Sequence, residues 1–183
     1  MTDANNNLRV GAPAPEIILQ GVAESGEVSE YRLSSNRGHW MVIFFYPKDF
    51  SIVCPTEVKE FSDRRDEFGA LEASVFGIST DTVESHISWI KKIGAIHYPL
   101  LADAAFVASK DYRTLLPDEG VALRGTFIVD PNGILRYALY HDNAVGRSVS
   151  ETLRVLAALR TGEMCPAEWQ PGEPTLGLFH ERD

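Results

Sequence analysis

The feature that most constrains this chain is the apolar run Trp40-Met-Val-Ile-Phe-Phe-Tyr46, which stops at Pro47. An apolar run without polar alternation predicts a central strand covered on both faces. After Pro47 the chain turns through Lys48 and Asp49 and opens a helix, with Cys54 beside the helix-starting Pro55. The thiolate, not the thiol, is the nucleophile, and a helix N-terminus favours it through its dipole and free N–H groups. Cysteine is also commonly buried as a small hydrophobe. Placement alone leaves the reactive and the packing reading of Cys54 level.

At 183 residues, the length predicts one compact domain with a sizeable core. The net charge of −9 argues against a nucleic-acid or anionic-membrane partner. The first seven residues have neither the basic patch nor the apolar core of a signal peptide, and the run ending at Tyr46 is too short to span a bilayer. A cytoplasmic location is therefore expected. The only two cysteines are Cys54 and Cys165. In a reducing compartment such a pair points to catalysis before a structural staple. There is no Cys-x-x-Cys pair, no metal-ligand spacing and no glycine-rich phosphate loop, so no metal and no tightly bound cofactor are expected.

Taken in order, residues 1–10 read as a polar, frayed lead-in, with strands at Ile17–Leu19, Tyr31–Leu33 and Trp40–Tyr46. One helix is expected from about Ser51 to Leu71, then a strand over Ser74–Thr80. Asp81 is the expected cap of a helix that runs to Gly94, and Pro99–Ala102 is extended. A short helix over Ala104–Tyr112 leads to a loop around Pro117. Thr126–Val129 and Ile134–Tyr140 flank Asp130-Pro-Asn-Gly133, a hairpin turn signal. Ser148 or Ser150 caps a last helix that closes at Gly162. This alternation predicts an α/β domain with a central mixed sheet flanked by helices. The expected division is residues 1–162 and a C-terminal tail, 163–183, that belongs to the same structural unit.

The combination Pro47-x-x-x-Ser51-x-x-Cys54 resembles the active-site signature of peroxiredoxins. Phe44–Pro47 with Cys54-Pro-Thr-Glu57 is similar to the typical two-cysteine branch, that of the alkyl hydroperoxide reductase C-component. The likeness continues through Pro99–Asp103, Arg124–Asp130, Val145–Ser148 and Gly162–Trp169, and covers roughly residues 10 to 176. It implies a thioredoxin-like fold and a peroxidase acting on hydrogen peroxide and organic hydroperoxides, with an antioxidant role. It implies Cys54 as the attacking thiolate, Ser51 and Arg124 as donors to sulfur and peroxide, and Pro47 as the shield of the site. Glu57 and Arg147 would support them. Cys165 would resolve the sulfenic acid as a disulfide between two subunits. A thioredoxin or a flavoprotein disulfide reductase would reset it, in a homodimer assembled into a decamer of five dimers.

Without that resemblance Ser51 reads equally as a helix cap, Arg124 as a surface cation, Pro47 as a strand terminator and Cys165 as an idle thiol. Trp89 and Trp169 read as packing residues. The chain departs from the family pattern in three places. Ser51 replaces the usual threonine and loses the methyl that pins its rotamer. Trp89–Pro99 lacks the Gly-Gly-Leu-Gly insert of oxidation-sensitive members, and the stretch Gly177–Asp183 lacks their Tyr-Phe helix. Resistance to over-oxidation follows. The rival reading is a redox-regulated oligomeric holdase or signalling protein that need not turn over.

Overall fold

The computed structural model describes residues 8–178, so the expectations for the first seven and last five residues lie outside it. The chain divides into two compact units, residues 1–147 and 148–183, each described by itself.

In the first unit, β1 (Ile18–Val22), β2 (Val28–Arg32), β3 (Trp40–Phe45), β4 (Ala73–Ser79), β5 (Leu100–Ala102), β8 (Arg124–Val129) and β9 (Leu135–His141) form one sheet. Its order is β2-β1-β5-β4-β3-β8-β9. β3 runs parallel to β4, and β4 to β5, while β8 lies antiparallel to both β3 and β9. This is the mixed sheet the alternation predicts, with the apolar run of β3 near its centre. Two short strands, β6 (Leu115–Leu116) and β7 (Val121–Ala122), pair across the expected loop at Pro117.

β3 is buried on both faces because its alternate residues feed two cores. Met41, Ile43 and Phe45 pack with Phe76, Ile78, Tyr112 and Phe127. On the other face Phe44 stacks on Phe61, ring centroids 4.3 Å apart, and meets Tyr98 edge-on. Each such ring contributes about 1.5–3 kcal/mol through burial. Gly77 makes room for Phe44, since a Cβ there would lie 2.9 Å from the ring. Phe61 belongs to α1 (Cys54–Asp63), so this stack sets the helix against the strand that precedes it.

Local chemistry changed several boundaries. The helix expected from Ser51 starts at Cys54 and breaks at Arg64, before α2 (Arg65–Ala70). Pro55 fits the first turn, where its missing N–H costs nothing. α3 (Val83–Ile93) is capped by Thr82, whose hydroxyl accepts from Ser85 N–H, and not by Asp81. Asp81 is occupied elsewhere, accepting from Asp49 N–H at 2.8 Å and from the Ser79 hydroxyl at 2.7 Å. The carboxylate of Asp103 accepts from Val107, Ala108 and Ser109 N–H, which starts α4 (Val107–Asp111). Asp130 Oδ1 accepts from Asn132 and Ile134 N–H and so ties the turn ahead of β9.

The second unit opens with α5 (Val149–Thr161), capped by Ser148 and closed by Gly162 in the left-handed region. Among the described residues, the segment after it has no regular element but folds back on itself. Met164 N–H donates to the Gly177 carbonyl and Leu176 N–H to that of Met164, both at 2.8 Å. Trp169 Nε1 donates to Glu173. No helix among the described residues is long and apolar enough to cross a membrane.

Candidate active site

Cys54 is the first residue of α1 and its side chain is fully buried. Its N–H donates to Ser51 Oγ at 3.3 Å. Ser51 therefore serves the helix start as an acceptor, and keeps its own hydroxyl proton to donate. Between Asp49 and Ser51 the chain passes through Phe50 at φ +55°, in the left-handed region that a bulky side chain rarely adopts.

Glu57 lies three residues beyond Cys54, on the same face of α1. Two arginines meet its carboxylate. Arg147 donates from its backbone N–H at 2.7 Å and from Nε at 2.9 Å to Oε1, and from Nη2 to Oε2 at 3.1 Å. Its Nη1 donates to the Phe45 and Gly125 carbonyls, each at 2.8 Å, so it ties α1 to β3 and β8. Its guanidinium also lies over the Phe44 ring. Arg124, the first residue of β8, reaches Glu57 Oε2 with Nη1, and the same nitrogen lies 3.4 Å from Cys54 Sγ. Its Nε and Nη2 both donate to the Asn143 carbonyl, at 3.1 and 3.0 Å.

The relative exposures of Glu57, Arg124 and Arg147 are 3%, 2% and 8%. Buried charges persist only when paired and hydrogen-bonded. Burial alone pushes Glu57 up, but the hydrogen bonds of Arg147 and the charges of both arginines outweigh it and hold this carboxyl below its usual range. Burial draws the Arg147 guanidinium down, opposed by Glu57. Two guanidinium ions against one carboxylate leave one positive charge over, and the sulfur of Cys54 sits where a negative charge would complete the set.

Above this cluster opens a cleft of about 490 Å³, lined by Pro47, Phe50, Ser51, Val53, Arg124 and Asn143 among others. The structure thus brings Cys54, Ser51, Arg124, Pro47, Glu57 and Arg147 to one place. A small polar molecule entering the cleft would meet the Ser51 hydroxyl and the Arg124 guanidinium, beside a proline that offers no N–H. Sequence reasoning missed Asn143, because it acts through its backbone carbonyl, which no side chain announces.

Cys165 belongs to the second unit. It is half-buried, with Sγ 3.6 Å from Thr161 Oγ1 and within 3.9 Å of the Ala158 and Glu163 carbonyls.

The family model described as the AhpC/TSA family matches residues 10–138. The chain belongs to that family. Among its relatives, YkuU of Bacillus subtilis is 47% identical over 175 residues, 91% of this chain and 97% of its own. Peroxiredoxin-1 of Gallus gallus is 44% identical over 177 residues, 91% of this chain and 89% of its own. The solved structure of a reduced 2-Cys peroxiredoxin from Plasmodium vivax superposes with a TM-score of 0.88 at 35% identity, covering 90% of this chain and 91% of that one. The thioredoxin-like fold, with helices flanking a mixed sheet, is therefore that of a peroxiredoxin, an enzyme of thiol-dependent peroxide reduction. Peroxiredoxins take peroxides as substrates and thiols as reductants, and this one has its buried thiol–guanidinium contact inside the matched span.

Proposed function

We propose that this peroxiredoxin reduces hydrogen peroxide and organic hydroperoxides through Cys54, in the typical two-cysteine, alkyl hydroperoxide reductase C-component branch. The Cys54 thiolate attacks the terminal peroxide oxygen. The O–O bond breaks, the sulfur becomes a sulfenic acid, and the departing oxygen takes a proton and leaves as water or an alcohol. Arg124 steadies both the thiolate and the oxyanion that develops on the departing oxygen. Ser51 donates its free proton to the peroxide, and Pro47 keeps bulk water from the sulfur. Glu57 and Arg147 hold Arg124 at its post. The observation that carries this reading is the single Arg124 Nη1 that touches both the Cys54 sulfur and the Glu57 carboxylate.

The partner subunit's Cys165 then condenses with the sulfenic acid, releasing water and forming an intersubunit disulfide. Cys54 is fully buried, so the first turn of α1 must unwind before that bond forms. Residues 1–162 are the catalytic domain in this scheme, and 163–183 the tail that delivers the resolving thiol. An external dithiol, from a thioredoxin or a flavoprotein disulfide reductase, returns both cysteines to thiols. The assembly is a homodimer, five of which form a decamer, working in the cytoplasm as an antioxidant defence.

One equivalent of peroxide added to the reduced protein, followed by a non-reducing gel, tests the cycle. A covalent dimer lost in both Cys54→Ser and Cys165→Ser supports it. Full peroxide consumption with monomer alone would remove Cys165 from its assigned role.

A further inference from the structure

Behind the loop that presents Cys54 lies a buried polar network that the peroxide chemistry does not use. Asp49, five residues before the cysteine, is buried, and so is His86 on α3. Asp49 Oδ1 accepts from the Tyr46 hydroxyl at 2.9 Å. Oδ2 accepts from the Ser85 hydroxyl at 2.7 Å and lies 2.9 Å from His86 Nδ1. The other ring nitrogen, Nε2, faces the Leu101 carbonyl at 3.2 Å.

A carboxylate and a carbonyl can only accept, so both ring nitrogens must donate. A carboxylate in a buried site needs a counter-charge. Of its side-chain partners Tyr46, Ser85 and His86, only histidine can become a cation. Asp81, which accepts from Asp49 N–H, adds a second acidic group and strengthens the demand. Tyr46 remains a neutral donor, since burial and the Asp49 charge both push its hydroxyl well up. Trp89 stacks on the Tyr46 ring and closes that side.

We infer that His86 is a positioning residue for the peroxide reaction: as an imidazolium it locks Asp49, and so fixes the point from which the Cys54 loop opens. Asp49 is held by its backbone N–H as well as its side chain, and the next residue is Phe50, at φ +55°. The chain is thus pinned up to Asp49, strained at Phe50, and pinned again at Glu57. Opening is confined to the stretch between. Loosening the upstream pin leaves Cys54 less often seated against Arg124 and more often free to meet a second thiol. Peroxide oxidation slows, and disulfide formation gains on over-oxidation.

The inference rests on Cys54 being the peroxide-reactive thiol, and two measurements separate the claims. A long-range proton–nitrogen spectrum of the ¹⁵N-labelled reduced protein near pH 7 reads the His86 ring directly, with the signal assigned by its loss in His86→Gln. Two protonated ring nitrogens are expected. One unprotonated nitrogen would overturn the inference, whatever Cys54 does. In single-turnover kinetics His86→Gln should slow peroxide oxidation about tenfold, well within what a misplaced reacting group loses, while a smaller share of Cys54 reaches sulfinic acid. Asp49→Asn should give the same split, and the double variant should be no worse than either single one. Both steps unchanged in His86→Gln would refute the positioning role. A Cys54→Ser variant that still consumed peroxide would instead sink the reading of the site itself.

Discussion

The two cysteines sit in opposite surroundings. Cys54 is sealed at a helix start with a guanidinium nitrogen on its sulfur, in a cluster of two arginines and one glutamate. Cys165 stands just beyond a helix end, half-buried, among two carbonyls and a hydroxyl. Cationic donors stabilise a negative sulfur, whereas carbonyls accept only from an S–H. The difference teaches a division of labour. In the proposed cycle the first setting suits the attacking sulfur and the second the resolving one. In that cycle Cys54 is also the thiol that moves, since a sealed sulfur cannot form a disulfide in place.

The largest test of this contrast is Cys54→Ser, expected to abolish peroxide reduction in a coupled assay, with Cys165 unable to substitute. Arg124→Ala should lower the rate constant for peroxide about 100- to 1,000-fold, the loss typical of one oxyanion donor; a smaller loss than tenfold would mean the contact is packing alone. Glu57→Gln leaves two buried guanidinium ions short of a counter-charge and should destabilise the fold by about 3 kcal/mol in urea titration. The same variant has a pH signature. A carboxyl whose folded pKa lies below its unfolded value stabilises fully above the latter, about 4.3, and stops doing so as pH falls through the folded value. Wild-type stability should therefore drop on acidification below that range, and the variant should lack this part of the drop. Ser51→Ala should cost about three- to tenfold in the peroxide step, one neutral hydrogen bond. Least of all, Cys165→Ser should leave the first turnover within about twofold while stopping every later one, a difference of cycle and not of chemistry.

Much of this contrast is legible in the chain. The uninterrupted apolar run Trp40–Tyr46 marks a strand with two covered faces, and Pro55 marks where the helix begins. Both are local signals that the fold preserves. Asp130-Pro-Asn-Gly133 ends one strand and starts the next for the same reason. Where the reading slipped, a tertiary partner outbid a local one. Asp81 has the chemistry of a helix cap, yet Asp49 and Ser79 claim its carboxylate and Thr82 caps instead. The long helix broke at Arg64 although its apolar spacing runs on to Phe68, and Phe61 and Phe68 still stack, at 5.7 Å, across the break. Glu57, Arg124 and Arg147 are recognisable one by one through the motifs around them. That one carboxylate bridges both cations depends on strand register. His86 is silent in sequence, since nothing near it points to Asp49.

Arg124 is oriented by a main-chain carbonyl, that of Asn143. A backbone acceptor survives almost any change of side chain. Position 143 is nonetheless not free to drift, since its Nδ2 donates to the Ala122 carbonyl at 3.3 Å; Asn143→Ala should keep the carbonyl that Arg124 uses but loosen its tie to β7, and so lower activity modestly. The residue beside Arg124 at the cleft is thus tied through its main chain and its side chain at once, so bulk or charge placed there would disturb the arginine's acceptor together with the entrance.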